Sequence, residues 1–216
     1  MTKTASNMIK QAQSYIGYKE SDGSHKKIID IYNSRNTLPR GYKVKYSDSW
    51  CATFISALAI KSKYTSIIPI ECSCHYMIKL AKAMQIWKES DLYRAKAGDL
   101  ILYDWQDNGK GDNVGVPDHI GIIEKIENDN YVVIEGNYDN EVKRRKISVN
   151  GRYIRGFITP DYDKEVVQPK KKSITVIAKE VIAGKWGNGS ERKEKLEKAG
   201  YDYKKVQAKV NSLLKD

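Results

Sequence analysis

The chain is poor in cysteine, with only Cys51, Cys72 and Cys74 among 216 residues. An odd number and the tight spacing of Cys72 and Cys74 argue against a disulfide framework and indicate synthesis in a reducing compartment. There is no C-x-x-C pair, which argues against a structural zinc site. We therefore expect the cysteines to be free thiols.

Long apolar runs are also missing. No run of apolar residues is long enough to span a bilayer, so no membrane partner is expected. Residues 1–7 are not followed by an apolar segment, and we therefore expect no secretory signal peptide. If the protein acts outside a cell, another agent must release it.

The net charge is positive, +11 with a pI of about 9.3, and the excess is spread along the chain. Nucleic-acid binders usually concentrate charge on one face beside groove-reading or aromatic motifs. Such motifs are absent, so no nucleic-acid partner is expected. A basic surface also favours approach to an anionic polymer such as a bacterial cell wall.

A proline, a lysine run and the loss of periodicity predict a linker at residues 163–173 between a first domain, 1–162, and a second, 174–216. Helical patterns precede strand patterns in the first domain, which predicts an α+β fold with an antiparallel sheet. The predicted helices span 5–16, 25–33, 51–59 (capped by Asp48-Ser49) and 74–85. The predicted strands span 99–103, 120–126, 131–135, 142–148 and 153–159.

The second domain is predicted to be a three-helix bundle. Its first helix spans 174–183. The second is capped by residues 188–191 and ends at 199–200, and the third is capped by Asp202. Val206, Val210 and Leu213 form one apolar stripe on the last helix. So small a bundle has little core, and we expect it to gain from self-association, which predicts a homo-oligomer formed through this module.

Four side chains suggest a cysteine hydrolase. Cys51 begins a predicted helix, where unpaired N–H groups lower a thiol pKa and can hold an oxyanion. His119 precedes a strand and can serve as the base. Glu135 and Asn137 are two apart on the next strand, so either can orient the histidine. Each residue alone also fits a structural role, but their combination favours catalysis.

Residues 40–160 resemble the cysteine- and histidine-dependent amidohydrolase/peptidase (CHAP) family, which has a papain-like fold and occurs in bacterial and phage wall hydrolases. The matching segments are Trp50-Cys51-Ala52-x-Phe54, Ala97-Gly98-Asp99-Leu100-Ile101, Asp118-His119-Ile120-Gly121-Ile122-Ile123 and Glu135-Gly136-Asn137. The resemblance implies Cys51 as nucleophile, His119 as base and acid, and Glu135 with Asn137 as orienting groups. Many members have Gln before the cysteine. Trp50 stands there in this chain, so oxyanion stabilisation would rest on backbone N–H groups while Trp50 lines the substrate groove.

The tail resembles the short cell-wall-binding repeat of certain streptococcal phage lysozymes, a three-helix module. The resemblance runs through residues 182–189, Arg192, Leu196, 199–203, 206–207 and 210–211. It implies a muropeptide ligand near Lys185, Trp186, Gly187, Asn188 and Arg192. Trp186 could stack on a sugar and Arg192 could pair with a carboxylate, but Trp186 is equally suited to the bundle core.

Calcium is a further expectation. The oxygen-rich segment 104–113 partly follows a calcium-loop pattern, but Gly115 occupies the position of its final glutamate. Some CHAP members bind calcium near their N-terminal segment. The candidate ligands are Asp104, Asp107, Asn108 and Asp112, with Glu20, Asp22 and Ser24 nearer the N-terminus. We expect no cofactor to be required.

These features together predict a phage endolysin or related peptidoglycan hydrolase that cleaves a wall amide. N-acetylmuramoyl-L-alanine amidase is favoured over an endopeptidase that cuts the stem or cross-bridge peptide. A non-catalytic wall-binding or virion protein is the alternative of another class. We expect synthesis in the host bacterial cytoplasm and action on the wall after release.

Overall fold

The computed structural model describes residues 2–90, 92–108, 114–163 and 172–214. The chain divides into two compact units, Met1–Lys164 and Glu165–Asp216. The predicted linker falls largely on residues 164–171, outside the described residues, and stays a prediction. Within the described ranges, no helix has both the length and the apolar character needed to cross a membrane.

In the described part of the first unit, helices come first along the chain. They are α1 (Ala5–Gln13), α2 (Lys26–Asn33), α3 (Cys51–Lys61) and α4 (Cys74–Ala83), with a 3₁₀ turn at Pro39–Gly41. Helix α1 ends three residues before the predicted end because Tyr15 and Ile16 donate their N–H groups to carbonyls three residues back. The chain then turns away at Gly17, whose φ of 90° is easily adopted only by glycine.

Helix α3 is the centre of this unit. Nine consecutive residues, 51–59, are buried, and the helix contacts α1, α2 and the sheet. The predicted cap by Asp48-Ser49 is wrong. The Asp48 carboxylate instead accepts hydrogen bonds from the Lys45 N–H and the Tyr42 hydroxyl. Trp50 is the N-cap residue, and its side chain makes no capping bond. The first N–H groups of α3 are therefore left without a side-chain cap.

The sheet in the described residues of this unit has six strands in the order β1-β6-β2-β3-β4-β5, and every neighbouring pair is antiparallel. This confirms the predicted α+β fold. The strands are β1 (Trp87–Lys88), β2 (Leu100–Tyr103), β3 (His119–Glu127), β4 (Asn130–Tyr138), β5 (Glu141–Ser148) and β6 (Ile154–Ile158). Strand β1 was not predicted, because a strand of two residues is too short to show an alternation of apolar and polar residues.

The second unit contains three helices within its described residues, α5 (Ile174–Ile182), α6 (Gly189–Lys198) and α7 (Tyr203–Leu213). The Asp202 side chain accepts the Lys205 N–H, as its predicted capping role requires. The Asn188 side chain does not cap α6; its oxygen accepts a hydrogen bond from Arg192. The small core consists of Ile177, Ala178, Val181, Leu196, Val206 and Val210.

Candidate active site

Cys51 is the first residue of α3 and is 6% exposed. Its sulfur therefore lies at the uncapped end of a helix whose dipole favours negative charge. The Ala52 N–H helps to lower the Cys51 pKa by hydrogen bonding. The helix start that the sequence predicted is thus present, and it places the thiol where a thiolate is stabilised.

His119 and Glu135 form a buried pair. His119 Nε2 lies 3.0 Å from Glu135 Oε2, and the Glu135 side chain is fully buried. Arg145 on β5 holds the other side of the carboxylate, with its Nε 2.9 Å from both oxygens. The carboxylate is thus fixed by a cation while it holds the imidazole. Since Nε2 is occupied, Nδ1 is the ring nitrogen available to the Cys51 thiol.

Two glycines allow this arrangement. Gly121 lies opposite Glu135 across β3 and β4, and a Cβ atom at Gly121 would come within 2.7 Å of Glu135 Cγ. A Cβ atom at Gly136 would meet Phe54 Cβ at 2.5 Å. Glycine at the first position leaves room for the Glu135 side chain. At the second position it lets β4 approach α3.

The expectation that Asn137 shares the orienting role is not met in this geometry. The strand pairing shifts register between Glu135 and Tyr138, and Asn137 adopts a φ of 60°. The rule that residues two apart share a face fails at such an irregularity. Asn137 Oδ1 is buried and has no hydrogen-bond partner within the described part of the chain.

The expectation that Trp50 lines the substrate groove is also wrong. The Trp50 ring is fully buried. Its indole N–H donates to Glu20 Oε1 at 2.9 Å, and its ring lies beside His25. Trp50 therefore anchors the start of α3 in the core and cannot donate to an oxyanion.

Cys74, at the start of α4, was not predicted to belong to the site. Its Sγ lies 3.7 Å from Cys51 Sγ. The hydrogen bond from Cys74 is the largest influence that lowers the Cys51 pKa well below its usual value, and the interaction with His119 acts in the same direction against burial. The same contact and burial raise the Cys74 pKa. Cys74 thus remains a thiol that can donate to a Cys51 thiolate.

The His119 pKa rises to about 9. Burial opposes a charge on the imidazole, but hydrogen bonds to Cys51 and Glu135 and their negative charges outweigh it. A lowered thiol pKa beside a raised imidazole pKa favours a thiolate–imidazolium pair at neutral pH. This is the ionisation state that a cysteine hydrolase uses.

Aromatic rings cover the buried pair. Tyr103 stacks on His119 with 5.9 Å between ring centroids, and Trp105 stacks on Tyr103 at 4.7 Å. The Arg145 guanidinium lies 5.0 Å from the Trp105 ring and 3.8 Å from the Tyr138 ring. These rings shield the Glu135 ion pair from water. Tyr103 ends β2, Trp105 lies in the loop after it and Tyr138 ends β4, so the strand pairing is needed to bring them together.

The calcium candidates have other partners where they are described. Glu20 accepts from Trp50, and Asp22 accepts from the Ser24 backbone and hydroxyl. Asp104 accepts from the Gln106 N–H. Asp107 and Asn108 also have interactions, and Asp112 lies outside the described residues. Over the ranges that the structure describes, no three His, Cys, Asp or Glu side chains cluster as a metal site.

Trp186 is half-buried in the second unit. Its indole N–H donates to Glu180 Oε2 at 3.1 Å, and its ring meets the Tyr201 ring edge-on. With Lys185 it lines a cavity of about 580 Å³ that also includes Lys195 and Lys198. The Trp186 side chain is therefore only partly buried in the bundle core, and its exposed part faces this lysine-lined cavity.

Arg192 holds the loop before α6. Its Nε donates to the Gly187 carbonyl at 3.0 Å, its Nη2 to Asn188 Oδ1 at 2.8 Å, and its Nη1 lies 3.3 Å from Gln207 Oε1. Gly187 has a φ of 73°, and a Cβ atom there would come within 2.6 Å of Glu191. Gly187, Asn188 and Arg192, which were all predicted to bind the ligand, are thus joined in one turn by the hydrogen bonds of Arg192.

Residues 176–214 match the family model described as the CW_7 repeat. A 42-residue segment is 57% identical to the lysozyme of Streptococcus phage Cp-7, over 19% of this chain and 12% of that lysozyme. The tail resemblance seen in the sequence is thereby confirmed. The chain spans only a small part of this relative.

Among solved structures, Ly7917 with the hydrolysing product of MDP superposes with a TM-score of 0.44 and 15% identity. The match covers 73% of this chain and 63% of Ly7917. A second Ly7917 structure gives a TM-score of 0.42 and 14% identity.

Proposed function

We propose that the chain is a peptidoglycan hydrolase of the phage endolysin type. In this proposal the first unit is a papain-like CHAP domain that cleaves a wall amide, and the second unit binds the wall. The observation that carries the proposal is the buried chain of contacts from Cys51 through His119 to Glu135. The CW_7 match at residues 176–214 supports the wall as the place of action.

The first half of the reaction forms a thioester. The Cys51 thiolate attacks the amide carbonyl carbon, and the carbonyl oxygen takes up negative charge. The backbone N–H groups at the uncapped start of α3 stabilise that charge. The protonated His119 then gives its Nδ1 proton to the leaving amine as the carbon–nitrogen bond breaks.

The second half releases the acyl group. The neutral His119 takes a proton from water, and the resulting hydroxide equivalent attacks the thioester carbonyl. Collapse of this intermediate breaks the carbon–sulfur bond and restores the Cys51 thiolate beside an imidazolium. Glu135 keeps the ring oriented and stabilises its positive charge throughout.

At the level of the bond, we propose an N-acetylmuramoyl-L-alanine amidase, on the strength of the sequence resemblance. An endopeptidase is the alternative. Digestion of purified Gram-positive walls with the wild-type protein, followed by mass spectrometry of the products, decides between them. New termini at L-alanine support the amidase, and new peptide–peptide termini support the endopeptidase.

The cysteine variants test the proposal itself. Cys51→Ala should abolish product release and keep wall binding. Cys72→Ala should keep both, since the Cys72 thiol contacts Arg40 and Glu71 instead. Equal digestion by wild type and Cys51→Ala would refute the mechanism. If the wild-type protein and both variants bind walls of several cross-bridge chemistries but digest none of them, the non-catalytic alternative is supported.

The proposed steps use only side chains and backbone of this chain, and that no cofactor is required is part of the proposal. Calcium binding at Asp104, Asp107 and Asn108 stays a proposal, tested by digestion after dialysis against a chelator. On this proposal the protein is made in the host cytoplasm, acts on the wall after release, and needs neither nucleic acid nor membrane as a partner. Self-association through the second unit is tested by sedimentation.

A further inference from the structure

A basic cavity lies in the first unit. Its volume is about 410 Å³, and it is lined by residues of α4, of the segment before β3, and of β6: His75, Ile78, Lys79, Lys82, Gly115, Pro117 and Arg155. His75 directly follows Cys74, whose sulfur is 3.7 Å from that of Cys51. Pro117 is two residues before His119. Two residues that line the cavity thus adjoin residues of the Cys51 centre along the chain.

The side chains that line this cavity include three cations, Lys79, Lys82 and Arg155, and no carboxylate. Glu89 accepts from Arg155 Nη2 at 2.8 Å and from Lys82 Nζ at 3.3 Å. One carboxylate thus serves two cations. Lys79 adds a third positive charge and has no ion-pair partner among the residues that the structure describes; its ammonium lies 6.0 Å from the Tyr76 ring.

Arg155 gives a second reason to expect an anion. The residue is 8% exposed, and its Nη1 is buried without a hydrogen-bond partner in the described ranges. Its Nε donates to the Gly115 carbonyl at 3.0 Å, which fixes the guanidinium plane. A buried guanidinium N–H without an acceptor is costly. A small turn of the Arg155 side chain toward the cavity would expose this N–H, and a ligand carboxylate would then supply its acceptor.

We propose that this cavity is a subsite for a free carboxylate of the substrate peptide, adjacent to the scissile amide. Lys79 and Lys82 attract the carboxylate, Arg155 orients it, and Ile78 and Pro117 contact the aliphatic part of the residue that bears it. The cavity is large enough for one amino-acid residue. The inference rests on the proposed function and narrows it to wall peptides with a free carboxylate rather than a carboxamide at this position.

A pair of soluble muropeptides that differ only in this group, carboxylate or carboxamide, tests the subsite. Wild-type protein should cleave the carboxylate form with a lower KM. The double variant Lys79→Gln, Lys82→Gln should raise KM for the carboxylate form by about three- to tenfold, leave kcat nearly unchanged, and leave the carboxamide form unaffected. Lys61→Gln is the matched control, because Lys61 is exposed and ends α3 at the opposite end from Cys51.

A binding experiment separates failure of the subsite from failure of the proposed function. N-acetyl-D-alanine and its amide are titrated into the full-length Cys51→Ala variant, with residue-resolved NMR. Shifts at Ile78 and Gly115 with the carboxylate alone support the subsite even if no wall peptide is cleaved. Equal shifts with both probes, no shift with either, or equal cleavage of the two muropeptides by wild type would overturn it.

Discussion

Replacement of Glu135 by glutamine tests the buried pair most sharply. Glutamine preserves the size of the side chain but removes the charge that His119 and Arg145 both contact at about 3 Å. The imidazolium loses its counter-charge, so the His119 pKa should fall from about 9. We expect kcat on a soluble muropeptide to fall by about 10²–10⁴-fold, the usual contribution of a positioned acid–base group, with little change in KM.

The same substitution also affects stability. Glu135 is fully buried and Arg145 is about a quarter exposed, so loss of one partner should cost about 3 kcal/mol of unfolding free energy. Circular dichroism must therefore show that the variant is folded at the assay temperature. Without that check, lost activity could reflect unfolding.

Glu124→Gln is the control for the loss of an ion pair. Glu124 on β3 accepts from Arg144 at 2.6 and 2.8 Å and is not hydrogen-bonded to His119. Arg144 is nearly half exposed but the Glu124 side chain is only 7% exposed, so the stability cost should be about 1–2 kcal/mol, and kcat should not change. Folded Glu135→Gln protein with kcat within about threefold of wild type would refute the orienting role.

Three further predictions follow from the same geometry. Cys74→Ala removes the S–H donor to the Cys51 thiolate, so the Cys51 pKa should rise and the acid limb of the kcat/KM profile should move to higher pH, whereas Cys72→Ala should leave the limb in place. The alkaline limb of the kcat/KM profile should fall near pH 9, where His119 loses its proton. Because the His119 pKa is raised above 6.5, its contribution to the free energy of unfolding should be complete below about pH 6.5 and lost as the pH rises through about 9. Unfolding measured as a function of pH tests this. Trp186→Ala should weaken sedimentation with purified walls while cleavage of a soluble muropeptide stays unchanged, and unchanged wall binding would assign Trp186 to the bundle core.

Local signals in the sequence predicted much of the fold. The end of α6 just before Gly200 follows from the left-handed backbone that glycine adopts easily. The Asp202 cap is a short-range bond between neighbours in sequence. The alternation of apolar residues predicted five of the six strands among the described residues, because period 2 requires no knowledge of partners.

The errors arose where tertiary contacts override a local pattern. Asp48 has the right type and position for a cap, but the Lys45 N–H and the Tyr42 hydroxyl hold its carboxylate. Trp50 adjoins the nucleophile in sequence, yet its ring points into the core. A register shift after Glu135 turns Asn137 away from the role that simple alternation predicted.

Other features of the site have no local signal at all. Cys74 is 23 residues from Cys51, and the contact of their sulfurs depends on how two helix starts meet. Arg145 reaches Glu135 across a strand pair, and only the β4–β5 register determines that contact.

The most direct test of Cys51 as the nucleophile is to detect the acyl group on its sulfur. Wild-type protein is mixed with a soluble muropeptide, quenched in acid within the first turnover, digested and analysed by mass spectrometry. If Cys51 is the nucleophile, the peptide that contains Cys51 carries a thioester adduct that is absent from Cys51→Ala protein. Product formation without any adduct on Cys51, at the same rate in Cys51→Ala protein, would contradict it.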